Sequence, residues 1–334
     1  MLIRIENEFL SIPPYALLCE LDTTFTLMTE TRNYKGIYYM LLAALGFSLM
    51  SGFAKVLKPS FNAPQLVFYR NLVGLVFLGF SFLRKPVEQS GGRLMLLIFR
   101  GVMGTLALYT LLYTILHVPL GTAMTYNTIN TFYIALFSAW LFKEKLSPVA
   151  WACIITGFTG VLLIYRPDVH FSWNYHMVGL LHGLLSALAY LSIGRLNRYY
   201  DTRVIVLSFL SSGLLLPMIM MLTGSLFHLP PDDFFFPVFR LPQGKEWFFI
   251  VGIGLFALLG QYFVTKAYSN DKAGIVAAIG YSNIPFALMI GVGLGDAFPD
   301  LLGLLGILLI IASGIAISLD KKIMEQLQRS PNKL

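Results

Sequence analysis

Arg70 and Arg100 are the residues whose chemistry stands out first. Arg70 follows Leu66-Val67-Phe68-Tyr69, and Arg100 follows Leu96-Leu97-Ile98-Phe99, each well inside an apolar stretch. An arginine in the middle of a bilayer costs about 2.5–3.5 kcal/mol on insertion scales, so it faces a protein interior or an aqueous cavity. No Asp or Glu lies deep in any apolar stretch to neutralise either one. A guanidinium offers a planar fork that fits a carboxylate or a phosphate. The competing reading is structural: an anchor that snorkels to headgroups or bonds backbone carbonyls at a helix end. Lys55, near the end of its stretch, fits that snorkelling description.

Uncharged polar side chains gather in three further stretches. Tyr126 with Asn130, and Asn127 with Thr131, are i, i+4 pairs that make one polar patch on a helix. Tyr281, Ser282 and Asn283 precede Pro285, whose missing N–H frees a carbonyl of the preceding turn. Gln261 and Thr265 share a helix face, and His182, Ser186 and Tyr190 recur every fourth residue. Such groups either wall a substrate cavity or bond one helix to another, which in membranes is worth roughly 0.6–2 kcal/mol per contact. The candidate substrate-binding set is therefore Arg70, Arg100, Tyr126, Asn127, Asn130, Gln261, Tyr281 and Asn283. His182 titrates near physiological pH when unperturbed and is a candidate for proton coupling, against a plain packing role.

Enzyme signatures are missing. The chain has no HExxH, no GxSxG and no GxxxxGK[ST], so it holds no catalytic set and no engine for ATP-driven movement. Cys19 and Cys153 have no neighbouring His or Cys at ligand spacing, so no metal, no cofactor and no disulfide framework are expected. Asp232-Asp233 among Phe234, Phe235 and Phe236 reads as an interfacial segment.

The elements that must position these residues are long and apolar. Hydrophobic residues make up 57% of the 334 and charged residues 12%, with a mean hydropathy of +0.72. A bilayer core about 30 Å thick needs roughly 20 apolar residues of helix. Ten stretches qualify, at approximately 36–57, 64–83, 94–116, 119–142, 148–165, 176–194, 203–227, 247–268, 273–294 and 299–319. With the N-terminus inside, the cytoplasmic segments hold 17 of the 24 Lys and Arg, which is the positive-inside asymmetry. The net charge of +7 is thus a topology code, and nucleic-acid binding is excluded as its meaning. Both termini are expected in the cytoplasm.

The fourth and ninth stretches match in their surroundings. One ends in Leu141-Phe142-Lys143-Glu144 before Pro148, the other in Gly293-Leu294-Gly295-Asp296 before Pro299. Tyr126-Asn127-Thr128-Ile129 resembles Tyr281-Ser282-Asn283-Ile284 in order. Two copies of an odd number of spans must enter the membrane from opposite sides, giving an inverted repeat, an architecture many secondary transporters use. Gly101/Gly104, Gly157/Gly160, Ala278/Ser282 and Gly291/Gly295 are small-residue pairs that let helices approach closely.

Arg100-Gly101, the small-residue entry to the fourth span, Glu144-Lys145-Leu146-Ser147 and the Gly157/Gly160 helix carry a resemblance to the EamA type of the drug/metabolite transporter superfamily, over about residues 35–320. The resemblance implies a ten-helix carrier of small metabolites working by alternating access. Asp296 stands where the family usually has Glu.

The expected fold is all-α and integral to the membrane, with ten transmembrane helices as two inverted five-helix repeats at 34–168 and 175–320. Residues 1–33 are expected to be a disordered cytoplasmic tail, or in part an upstream extension if translation starts at Met28; residues 321–334 form a basic cytoplasmic tail. The third, fourth, eighth and ninth spans, with the first and sixth, are expected to line one central cavity. Glu144 and Asp296 are expected mainly to cap or gate span ends. The expected function is secondary transport of a small polar metabolite, of amino-acid, nucleotide-like or vitamin class, in a bacterial inner membrane. A membrane-embedded transferase and a non-transporting assembly protein are the alternatives. The partners are a small-molecule substrate and the lipid bilayer, with homodimer formation left open. Reporter fusions after Lys85, Lys145 and Lys322 should read cytoplasm, and those near Asp168, Lys245 and Ala297 should read the opposite side. Fusions at Asp168 and Ala297 reporting the same side as Lys145 would collapse the inverted arrangement.

Overall fold

The computed structural model describes residues 34–329 except 58–59, 62, 88–89, 118–119, 142–145, 167–171, 229–238 and 296–297. The expectations for residues 1–33, Glu144, Asp232-Asp233 and Asp296 lie outside the described residues. Among the described residues every regular element is helical. In chain order these are α1 (Lys35–Leu57), α2 (Ala63–Arg84), α3 (Leu94–His117), α4 (Leu120–Leu141), α5 (Pro148–Tyr165), α6 (Trp173–Leu196), α7 (Thr202–Leu226) and α8 (Glu246–Asn270). The ninth span is two helices, α9 (Ala273–Ile279) and α10 (Asn283–Gly293), joined by a 3₁₀ turn at Gly280–Ser282; α11 (Leu301–Arg329) follows.

Eight spans, the ninth included, are long and apolar enough to cross a bilayer by length and composition. Of the other two, α11 carries a shorter apolar stretch, Leu301–Ile317. The last, α4, is 22 residues long, but the polar run Thr125–Thr131 dilutes its apolar character. Large apolar side chains face outward all around the bundle, among them Leu83, Trp140, Leu301 and Phe80. In water they would be a liability; against lipid tails they are the matching surface. The chain is an integral membrane protein.

Local signals place the helix ends. Ser147 caps α5, its Oγ accepting from the Ala150 N–H at 2.9 Å, with Pro148 next in line where its missing N–H costs nothing. Asp201 caps α7 in the same way, accepting from the Arg203 N–H at 2.7 Å. Pro217 leaves α7 a single helix, whereas the ninth span breaks into a 3₁₀ turn where Pro285 cannot donate to the Tyr281 carbonyl four residues back. Beyond the bilayer, Arg166 pairs with Asp300, tying the end of α5 to the start of α11. The guanidinium holds the Asp300 carboxyl below the usual carboxylate range.

The packing carries the signature of duplication. α1 packs chiefly on α8, and its counterpart five spans on, α6, packs chiefly on α3. α2 meets α8 as α7 meets α3, and α1 meets α10 as α6 meets α4. The remaining large contacts, α2 with α7, α5 with α11 and α4 with α9, map onto themselves when the halves are exchanged. The helix pairing is therefore that of two inverted five-helix repeats.

Close approach depends on absent side chains where α5 crosses α11. A Cβ on Gly160 would stand 2.6 Å from the Gly306 carbonyl oxygen, and one on Gly306 would stand 2.5 Å from that of Gly160. Backbone meets backbone in both directions, so neither helix has a flexible side-chain end to move aside. Without a hydrophobic drive between helices in lipid, such dispersion contact is the main adhesive. Gly160→Ala and Gly306→Ala should each cost about 1–3 kcal/mol as overpacking does, read as a lower thermal midpoint in detergent. Gly79→Ala, where a Cβ meets nothing within 4 Å, should leave the midpoint unchanged.

Candidate functional site

The polar residues picked out in the spans converge on one partly open cavity of about 290 Å³. Its wall draws on α1 to α8 and on the broken ninth span. Seven of the eight candidate binding residues are in it: Arg70, Arg100, Asn127, Asn130, Gln261, Tyr281 and Asn283. His182 lines it as well. Besides the six spans expected, α2 contributes Arg70, α7 contributes Phe209 and α5 contributes Tyr165. Tyr126 is elsewhere: its hydroxyl is bonded to His176 Nδ1 on α6, and its ring packs against Gly179.

The two arginines are the centre of the arrangement. Arg100 is 1% exposed and Arg70 8%. Arg100 donates from Nη2 to Gln261 Oε1 at 3.3 Å, while its Nε has no partner. Arg70 has one long contact, Nη1 to Met50 Sδ at 3.9 Å, and its Nε and Nη2 have none. Both guanidinia lie against the Phe209 ring, with Cζ to centroid distances of 5.7 Å for Arg70 and 5.1 Å for Arg100. Arg100 also stands 5.7 Å from the Tyr190 ring, which stacks on Tyr268 at 5.1 Å. An aromatic face supports a cation through its quadrupole without satisfying any N–H. Among the described residues lining the cavity there is no carboxylate.

Two hydrogen-bonded pairs close the wall, and exchanging the halves interchanges the helices that carry them. Between α1 and α10, Ser48 Oγ donates to Asn283 Oδ1 at 2.6 Å and also lies 2.8 Å from the Ala44 carbonyl. Between α6 and α4, His182 Nε2 lies 3.0 Å from Asn127 Oδ1, while Nδ1 lies 2.7 Å from the Ala107 carbonyl of α3. The carbonyl can only accept, so Nδ1 carries a proton. A neutral ring then has an acceptor at Nε2, matched by turning the Asn127 amide so that its N–H₂ donates. Thr131 reaches the Ala277 carbonyl at 3.4 Å, joining α4 to α9.

Sequence reasoning missed Phe209, Ser48 and Tyr268. Phe209 is one of 27 phenylalanines, and nothing in its neighbours marks it as the ring shared by two guanidinia. Ser48 had a weak signal, a lone hydroxyl in the middle of an apolar span. Thr265, expected beside Gln261, bonds back to the Gln261 carbonyl at 2.7 Å and does not line the cavity. Lys55 is exposed on the last turn of α1, as a snorkelling residue would be.

Helix pairs that interchange with the two halves, around a central cavity carrying polar side chains, fit a membrane carrier, and the relatives make the class particular. Residues 34–166 match the model of the EamA-like transporter family. An uncharacterized transporter of Helicobacter pylori is 35% identical over 294 residues, spanning 87% of this chain and 96% of the relative. The pseudopaline exporter CntI of Pseudomonas aeruginosa is 31% identical over 288 residues, spanning 86% and 97%. A protein of known crystal structure shares the fold, with a TM-score of 0.69 at 17% identity over 88% of this chain and 97% of that one. The chain belongs to the EamA-like transporters of the drug/metabolite transporter superfamily.

Removing the imidazole strands the groups it bonds. His182→Ala should cost about 1–3 kcal/mol, the penalty for buried polar groups left without partners, seen as a lower thermal midpoint in detergent. His182→Gln, able to remake one of the two bonds, should recover part of the loss.

Proposed function

We propose that this chain is a secondary transporter that carries a small polar metabolite across a bacterial inner membrane by alternating access, with both termini in the cytoplasm. The observation that carries the reading is the cavity itself: central, partly open, set with two arginines and several amides in a mixed polar and apolar wall, and built from both five-helix halves. A volume of about 290 Å³ suits a solute of amino-acid, nucleotide-fragment or vitamin-fragment size. The Pseudomonas relative is an exporter, which supports outward carriage as the working direction.

The two bonded pairs supply the moving parts of such a cycle. Opening toward one face releases α1 from α10 at Ser48–Asn283; opening toward the other releases α6 from α4 at His182–Asn127. Interhelical bonds in membranes are worth roughly 0.6–2 kcal/mol, so neither latch holds its gate against thermal motion on the microsecond to millisecond scale of helix movements. The turn at Gly280–Ser282 gives the ninth span a joint on which α10 can swing relative to α9.

Cross-linking tests the scheme. In a Cys19→Ser, Cys153→Ala background, Ser48→Cys with Asn283→Cys should form one lock, and His182→Cys with Asn127→Cys the other. Each lock should abolish labelling of the cavity by an impermeant thiol reagent from one face only, and the two locks should close opposite faces. Locks that close the same face, or that leave both faces open, would overturn alternating access through this cavity.

A further inference from the structure

We infer that the transported metabolite is an anion, and that its carboxylate or phosphate is gripped jointly by Arg70 and Arg100. The inference rests on reading the cavity as the transport site, and adds the charge and the chemistry of what enters it.

The chain shows what an arginine does here when its role is structural. Arg203 is as buried as Arg70, at 8% exposure. It donates to the carbonyls of Ser81, Lys85 and Pro86 at 2.8–3.1 Å and pairs with Asp201 at 3.1 Å. That fastens the end of α2 to the start of α7 and uses the fork fully. Arg240, half exposed, donates to the Ser60 carbonyl and pairs with Glu246. Arg70 and Arg100 do neither. Each guanidinium has about five N–H donors, yet among the described residues the pair makes a single bond to oxygen, Arg100 to Gln261. Three of their buried nitrogens have no partner. A structural arginine at such depth would be expected to find carbonyls or a carboxylate, since an unpaired buried charge is the costly case.

The geometry points to a ligand that completes them. Both guanidinia lie within 6 Å of the Phe209 ring and both line the same cavity, and the ring supports the two charges without cancelling either. With its Oε1 engaged by Arg100, Gln261 keeps its amide N–H₂ as a further donor. Among the described residues the charged lining groups are two cations with no acid among them, and the remaining titratable neighbours, Tyr165, Tyr190, Tyr268, Tyr281 and His182, are neutral or cationic at ordinary pH. An oxyanion has the acceptor lone pairs for several of these donors at once, and a dianion would also balance the charge. The bound metabolite thereby completes the electrostatics of the cavity.

The test needs no knowledge of the natural metabolite. In the Cys19→Ser, Cys153→Ala background, the thiol introduced by Asn130→Cys is labelled with two methanethiosulfonates of similar size, one bearing a sulfonate and one a trimethylammonium. Rates are normalised to a free thiol in solution. The sulfonate reagent should be favoured by roughly tenfold or more, the scale of charge focusing in a low-dielectric cleft. Arg70→Gln and Arg100→Gln should each erode the preference. Succinate or inorganic phosphate should slow labelling, each reporting on one of the two oxyanion types, and neutral succinamide should not. Arg70→Lys and Arg100→Lys should keep the reagent preference but lose most of the protection, because a point charge lacks the planar fork; they also stand in for the Gln variants if those fail to fold. A reactive thiol with no charge preference, protection by neither anion, or equal protection by succinamide would overturn the anion reading while leaving the transport cavity standing. A thiol inert to both reagents in folded protein would overturn the cavity, and this inference with it.

Discussion

Arg70 and Arg100 must be held in a membrane interior where water is scarce and where the described residues of the cavity wall supply no carboxylate, and much of the surrounding design follows from that. A bare guanidinium at such depth would draw in water or lipid headgroups. The protein meets this with a shared phenylalanine ring, a tyrosine pair and one glutamine, which support the charges without consuming their hydrogen-bonding directions. Eight of the ten spans can then be almost wholly apolar, because the polar groups are concentrated on the cavity wall. The polarity of α4, with Asn127, Thr128, Asn130 and Thr131 on the lining, belongs to the same division of labour.

Packing around this core obeys the physics of lipid more than that of water. Helix contacts come from small residues and interhelical bonds, as where Gly160 meets Gly306 and where Ser48 meets Asn283, alongside apolar clusters such as Leu78 with Val206, Phe209 and Leu210. Apolar side chains that would fill a soluble core instead face outward. The arginines that do act structurally sit at helix ends, where backbone carbonyls are free to accept: Arg203 closes the C-terminal turn of α2, and Arg240 meets the Ser60 carbonyl after α1.

The spans and their order were legible in the sequence because length and apolarity are set by bilayer thickness, which leaves little room for error. Helix bounds fell within a few residues of those read from the apolar stretches, except that α11 continues well past 319 to Arg329, and Pro285 marked the interruption of the ninth span. Most of the site was legible too, since a polar side chain in an apolar span has few reasons to exist. What could not be read was direction around the helix axis. Tyr126 and Asn127 are adjacent in sequence, yet one binds His176 and the other faces the cavity. Thr265 turned back on its own helix. Phe209 and Tyr268 were invisible because their role comes from what crosses over them, and aromatic residues are too common in such spans to stand out.

The two-fold exchange of helix pairs has a consequence for biogenesis. Contacts that survive the swap of one half for the other do not tell the two faces of the membrane apart, so the folded bundle carries little information about which way up it should be inserted. That information has to reside in the charges of the short connections, read by the insertion machinery before the bundle has formed. A chain whose loops lost that bias would still assemble, upside down, into much the same set of packed helices. The likeness of the two halves thus leaves the choice of orientation to the lysines and arginines of the connections.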